Sequence, residues 1–263
     1  MSRKLNDETM SKLKKGGVWA IIMNEVNKDP ELSPEIRDGK LKIYYQKGLV
    51  LTLDGKKSKP EILSSGYYKG QPAIDIDPKH PKDYFVWAKE KVGKFNKNKL
   101  EFIIQQRISK DNSSADSRYL VVDMEYQFSQ GKIPENERVD ISRIDIVAVD
   151  QFTKEIILFE LKQGLGALEG KSGVSDHIRK TNNLIRNRIF CEELVKDIGQ
   201  ILSQKNELGI LNCGRDLSSQ LSNIKMGIIF VSYSEEEQIE FNKIVKGYDD
   251  ILIISKNFNT WRL

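Results

Sequence analysis

Asp145, Glu160 and Lys162 combine residue types and a spacing that could hydrolyse a phosphodiester. Residues 156–162 (IILFELK) read as a strand. Glu160 and Lys162 are two apart on it, so both side chains leave the same face. Asp145 lies early in residues 143–149 (RIDIVAV), which read as the strand before. Fourteen residues separate Asp145 from Glu160, which suits a hairpin, and paired strands lie about 5 Å apart. Two carboxylates at that separation can share a divalent cation, and hard oxygen ligands favour Mg²⁺ or Mn²⁺ over Zn²⁺. Such a cation polarises a phosphodiester and lowers the pKa of a bound water. Lys162 can orient or deprotonate that water, or stabilise charge developing on the phosphate. The alternative for the same residues is a salt bridge at a sheet edge. The abrupt change from Ile-Ile-Leu-Phe to Glu-Leu-Lys favours a ligand site, because an unpaired carboxylate or ammonium is costly to bury. A second Glu-x-Lys, Glu169-Gly170-Lys171, sits in a glycine-rich loop and lacks that strand context.

Other elements must position these residues. Residues 119–128 (YLVVDMEYQF) read as a strand, and with the two strands above they predict an antiparallel meander. Residues 83–109 precede it as one broken helix or two. Gly164, Gly166, Gly170 and Gly173 mark a loop after the third strand. Residues 175–206 read as one long helix, with Leu184, Cys191, Val195, Ile198 and Leu202 recurring along it. A buried-type strand at 226–233 (MGIIFVSY), a helix at 235–245 and a strand at 250–255 (DILIIS) complete the order. Upstream, residues 17–27 read as a short helix, and Pro30 and Pro34 then interrupt. Residues 40–57 read as two strands around Lys47-Gly48. Pro72, Pro78 and Pro81 mark a linker. The expected organisation is a small α+β module over residues 1–80 and an α/β domain over 81–263.

Asp145…Glu160-Leu161-Lys162, in an α-β-β-β-α-β order over residues 83–255, resembles the PD-(D/E)XK nuclease superfamily with its restriction-endonuclease-like fold. The proline of the motif is absent, since Ile144 precedes Asp145. DMEYQF, RIDIVAV, FELKQG and GKSGVSDH more narrowly resemble a bacterial group within that superfamily. The resemblance implies that Asp145 and Glu160 bind the metal, with the Leu161 carbonyl as a third ligand, and that Lys162 assists hydrolysis. It also implies a further acidic ligand. Glu125 on the first meander strand is the nearer candidate, Glu101 on the preceding helix the alternative, and Asp123 shares a strand face with Glu125. Helix N-termini attract phosphate, so Lys171, Ser172, His177 and Arg179 are candidate contacts to a nucleic-acid backbone. The competing reading there is an N-cap by Ser175 with a solvated basic face. Gln163 follows the motif directly. The implied activity is Mg²⁺- or Mn²⁺-dependent hydrolysis of DNA, as an endonuclease or exonuclease. A module that binds nucleic acid or a partner on the same fold and cuts nothing is the alternative. Cutting both strands of a duplex needs two sites, which a homodimer supplies.

Composition narrows the other classes. At 39% hydrophobic and 30% charged, 263 residues fit one large domain, or a core domain with a smaller module. The longest apolar runs, Val18–Met23 and Gly227–Val231, are far short of a membrane span, which needs about 20 residues. The basic N-terminus is not followed by an apolar run of signal-peptide length, which points to the cytoplasm. Cys191 and Cys213 form no C-x-x-C pair, and with only His80 and His177 to join them they read as reduced thiols. Residues 1–110 carry 23 Lys/Arg against 14 Asp/Glu, a net +9; residues 111–263 carry 19 against 24, a net −5. A basic part that holds phosphate beside an acidic part that holds metal is one way to build a nucleic-acid enzyme; a soluble lysine-rich surface is the other reading. Tyr44, Tyr45, Tyr67 and Tyr68, set among lysines, either grip nucleic acid or pack in a sheet. GLGALEGKS is a decoy for a phosphate loop, because the first glycine would fall at Leu165. Its glycines also miss the dinucleotide fingerprint, giving G-x-G-x-x-x-G.

Overall fold

Proline placement and turn chemistry shape the first half of the chain, and long apolar runs shape the second. A computed structural model describes residues 3–96, 100–128, 143–168, 173–213, 217–257 and 261–263. The described chain is mixed α/β, with seven α-helices and two sheets. It divides into two compact units, Met1–Lys110 with Gln200–Asn212, and Asp111–Gly199 with Cys213–Leu263.

The first unit opens with α1 (Asp7–Leu13) and α2 (Ala20–Lys28). The Asn6 side chain caps α1 by accepting the Thr9 N–H at 2.8 Å, and Asp7 and Glu8 favour the same helix end. An antiparallel sheet follows in sequential order: β1 (Ser33–Arg37), β2 (Lys40–Tyr45), β3 (Gly48–Leu53) and β4 (Glu61–Ile62). β1 was hidden in the sequence by Pro34. As an edge strand it loses no necessary ladder bond to the missing N–H. The β2–β3 turn puts Gln46 and Lys47 at φ +43° and +70°, as a two-residue hairpin requires. Gln106 and Asn96 hold Gln46 there by its N–H and carbonyl. α3 (Lys82–Phe95) packs Tyr84, Phe85, Ala88 and Val92 into the core with Ile22, Ile36, Ile43 and Leu51. Tyr67 stacks edge-on to Phe95, and Tyr68 packs on Trp87, so these tyrosines serve packing, together with Tyr45.

The boundary expected near residue 80 falls at 110/111 instead. The helical stretch read as leading the second domain forms α3 and α4 (Leu100–Asp111), which belong, but for Asp111, to the first unit. The charge asymmetry, by contrast, changes sign at that boundary.

The second unit is built on a five-stranded sheet in the order β5 (Tyr119–Tyr126), β6 (Ile144–Asp150), β7 (Ile156–Gln163), β8 (Ile224–Ser232), β9 (Leu252–Asn257). β5, β6 and β7 form the expected antiparallel meander, and β7, β8 and β9 are parallel. Parallel neighbours need long crossovers; these hold α5 (Val174–Arg186), α6 (Arg188–Glu207) and α7 (Glu235–Val245). The single helix expected over 175–206 is thus two. Asn187 leaves the helical backbone, and its side chain accepts the Phe190 N–H at 3.0 Å, so it ends one helix and caps the next. Both cysteines are free. Among the described residues no helix is long and apolar enough to cross a membrane.

Register puts Asp123, Asp145, Val147, Leu158, Glu160, Lys162, Met226, Ile228 and Phe230 on one face of this sheet. Met226, Ile228 and Phe230 are covered by Val174 and Ile178 of α5 and by Phe241 and Val245 of α7, with Phe230 stacked on Phe241. On the other face Gly227 sits opposite Phe159, and a Cβ there would lie 2.5 Å from the ring. Gly227→Ala is therefore expected to destabilise the protein by about 1–3 kcal/mol through overpacking, read as a lower urea midpoint.

Candidate active site

The central strand β7 is paired with β8 from Ile156 to Gln163, but its pairing with β6 ends at Ile146↔Phe159. The next residues on that seam are Asp145 and Glu160. The Asp145 carboxylate takes the place of a strand partner: its Oδ2 accepts the Leu161 N–H at 2.9 Å. Asp145, Glu160 and Lys162 are 7%, 6% and 7% exposed. Glu160 Oε1 accepts from Lys162 Nζ at 2.9 Å. The structure therefore brings together the three residues expected from the sequence, on one face and beside an interrupted ladder.

His177 joins them. Its Nδ1 is also 2.9 Å from Glu160 Oε1, a close polar contact in which the ring N–H does not lie along the line to the oxygen. The residue that the sequence offers as a contact to a nucleic-acid backbone thus lies against Glu160. The signal was present in the helix periodicity. Val174, Ile178, Thr181 and Leu184 are the buried stripe of α5, and His177 falls within it.

Glu125 lies level with Asp145, between the pairs Met124↔Ile146 and Tyr126↔Ile144. Its backbone is left-handed, φ +53°, just past a register shift at Val121/Asp123. A non-glycine residue held there costs roughly 1–2 kcal/mol, and such outliers and bulges concentrate at functional sites. The Glu125 carboxylate contacts Arg143. Asp123 is fully buried and shares the face of Asp145. Glu101 is an exposed residue of α4 in the first unit.

The remaining candidates are not gathered at Glu160. Arg179 is exposed and bonds Asp176 at 2.8 Å, and Lys180 bonds the same carboxylate at 2.9 Å. Hydrogen bonds from Lys180 and then Arg179 lower the Asp176 pKa to about 2. The helix is capped at Gly173, not Ser175, whose hydroxyl accepts from Tyr248. Gln163 accepts from the Tyr233 hydroxyl at 3.1 Å. Lys171 and Ser172 lie outside the described residues.

Comparison with known protein families, curated proteins and solved structures finds no match.

The donor chemistry nevertheless defines what the site could hold. Asp145 and Glu160 supply hard carboxylate oxygens on adjoining strands. Among the described residues no group of three or more His, Cys, Asp and Glu is arranged to hold a metal ion. Mg²⁺ does not need one, since it binds through one or two carboxylates and keeps water or substrate phosphate in its other positions. The left-handed backbone at Glu125 makes a separate, metal-independent prediction. Glu125→Gly should be more stable than Glu125→Ala by about 1 kcal/mol, because glycine alone relieves the strain. Paired denaturant titrations measure the difference, and equal stabilities would mean that the site stores no such strain.

Proposed function

We propose that the chain is a metal-dependent nuclease of the PD-(D/E)XK kind, with a restriction-endonuclease-like core in its second unit, and that it hydrolyses phosphodiester bonds of DNA. One observation carries the reading: two carboxylates and a lysine, each more than nine-tenths buried, share a sheet face where the β6–β7 ladder stops. The Glu160–Lys162 ion pair offsets part of the cost of burying these charges, and a cation held by the two carboxylates would offset more.

Asp145 and Glu160 would hold Mg²⁺ or Mn²⁺, with Glu125 in support. When bound, such an ion polarises the phosphodiester and makes water a stronger nucleophile. Lys162, already against Glu160, orients the water and meets the charge that develops on the phosphate. Leu161 holds Asp145 in place through its N–H. The basic first unit supplies attraction for the phosphate backbone, and two copies of the chain would supply the two sites needed to cut a duplex.

The test is cleavage of supercoiled plasmid, linear duplex and single-stranded DNA with Mg²⁺, Mn²⁺ or EDTA. Cleavage is expected with either metal and not with EDTA. Asp145→Ala should abolish it, and Lys162→Ala should slow it by about 10²–10⁴-fold. Nicking of the plasmid would identify an endonuclease. Metal binding without cleavage of any substrate would favour the silent nucleic-acid-binding module.

A further inference from the structure

We infer that His177 is a positioning residue for Glu160, holding the carboxylate in the orientation that receives the metal. The inference rests on the nuclease reading and goes beyond it, since nothing in the motif assigns this histidine a part.

Two nitrogens converge on one oxygen. Lys162 Nζ and His177 Nδ1 each lie 2.9 Å from Glu160 Oε1. Lys162 donates a hydrogen bond to this oxygen, and the His177 ring meets it as a close polar contact. The two nitrogens come from different elements, one from β7 itself and one from α5. Lys162 is carried by the same strand as Glu160, so it places the carboxylate only relative to β7. His177 adds a contact from outside that strand. α5 is anchored by Val174 and Ile178 in the same apolar cluster as Met226, Ile228 and Phe230, so the ring is fixed relative to the sheet. Its side chain is 16% exposed and its Nδ1 is fully buried. That is the wrong situation for a contact to a nucleic-acid backbone and the right one for a group that orients a ligand. Ligating carboxylates are commonly held in this way by a partner behind them, and losing the partner weakens metal binding.

The arrangement also says how Glu160 would bind. With both nitrogens on Oε1, Oε2 is the oxygen that remains for a cation, so ligation is through one oxygen. Without His177 the carboxylate keeps its ion pair with Lys162 but loses the contact from α5 that fixes its rotation, so Oε2 is no longer held toward the cation.

The experiment measures Mn²⁺ binding to the full chain by calorimetry without DNA, and binding of a labelled duplex in EDTA. His177→Ala is expected to weaken Mn²⁺ binding by about 10–100-fold while leaving duplex binding in EDTA unchanged. His177→Asn, whose amide nitrogen reaches nearly the place of Nδ1, should recover most of the loss. His177→Gln, with its amide set farther out, should not, which separates placement from mere packing. Unchanged Mn²⁺ affinity in His177→Ala overturns the inference, and weakened duplex binding in the same variant would make His177 a substrate contact. A wild-type chain that binds no Mn²⁺ overturns this inference and the nuclease reading together.

Discussion

The second unit depends on an incomplete seam between β6 and β7. A buried backbone N–H must be satisfied. Along β7 the ladder to β8 is complete, whereas the ladder to β6 stops after Phe159. Asp145 satisfies the Leu161 N–H with its side chain, so a carboxylate is held where an apolar ladder would otherwise continue. β6 meanwhile stays paired with β5 as far as Ile144↔Tyr126. The opening is therefore confined to one seam, and the charged residues of the motif occupy its edge. The left-handed turn of the backbone at Glu125, level with Asp145 on the next strand, belongs to the same local departure from regular pleating.

Within that setting the charges arrange themselves by proximity. Glu160 is flanked by nitrogens from β7 and α5, and Asp145 is fixed by a main-chain donor. Glu125 is met by Arg143. Every motif residue thus has a defined local partner, which low-dielectric surroundings demand. The basic residues early in α5 behave differently. Arg179 and Lys180 both turn to Asp176, so much of the positive charge that the helix start was expected to offer a phosphate is locally neutralised. The net charge that could attract a polyanion lies instead in the first unit, whose residues 1–110 carry +9 while residues 111–263 carry −5. The buried charged cluster and the excess of positive charge thus fall in different units.

Much of this was legible without coordinates. The meander, the two later strands and the common face of Glu160 and Lys162 follow from period-two spacing and from apolar runs bounded by turns. The antiparallel hairpin that pairs Asp145's strand with Glu160's follows from the short connection between them. What escaped had physical causes. Pro34 concealed β1, since a proline reads as a break unless the strand is known to be an edge. Asn187 hid a helix boundary because one capping side chain is a weak signal inside a continuous periodic pattern. The proline-rich stretch at 72–82 looked like a linker. The units part at 110/111 instead, where no proline or glycine cluster marks the chain.

By itself, the sequence determined the chemistry on offer and its placement on one strand face, because side-chain identity and the two-residue repeat are local properties. It also determined the charge asymmetry, which is additive along the chain. Only the tertiary structure decided which groups meet. That the β6–β7 ladder ends at Phe159, that Arg143 engages Glu125, and that His177 turns inward to Glu160 all depend on register and on how α5 packs over the sheet. Those are long-range outcomes of packing, and no local pattern of residues contains them.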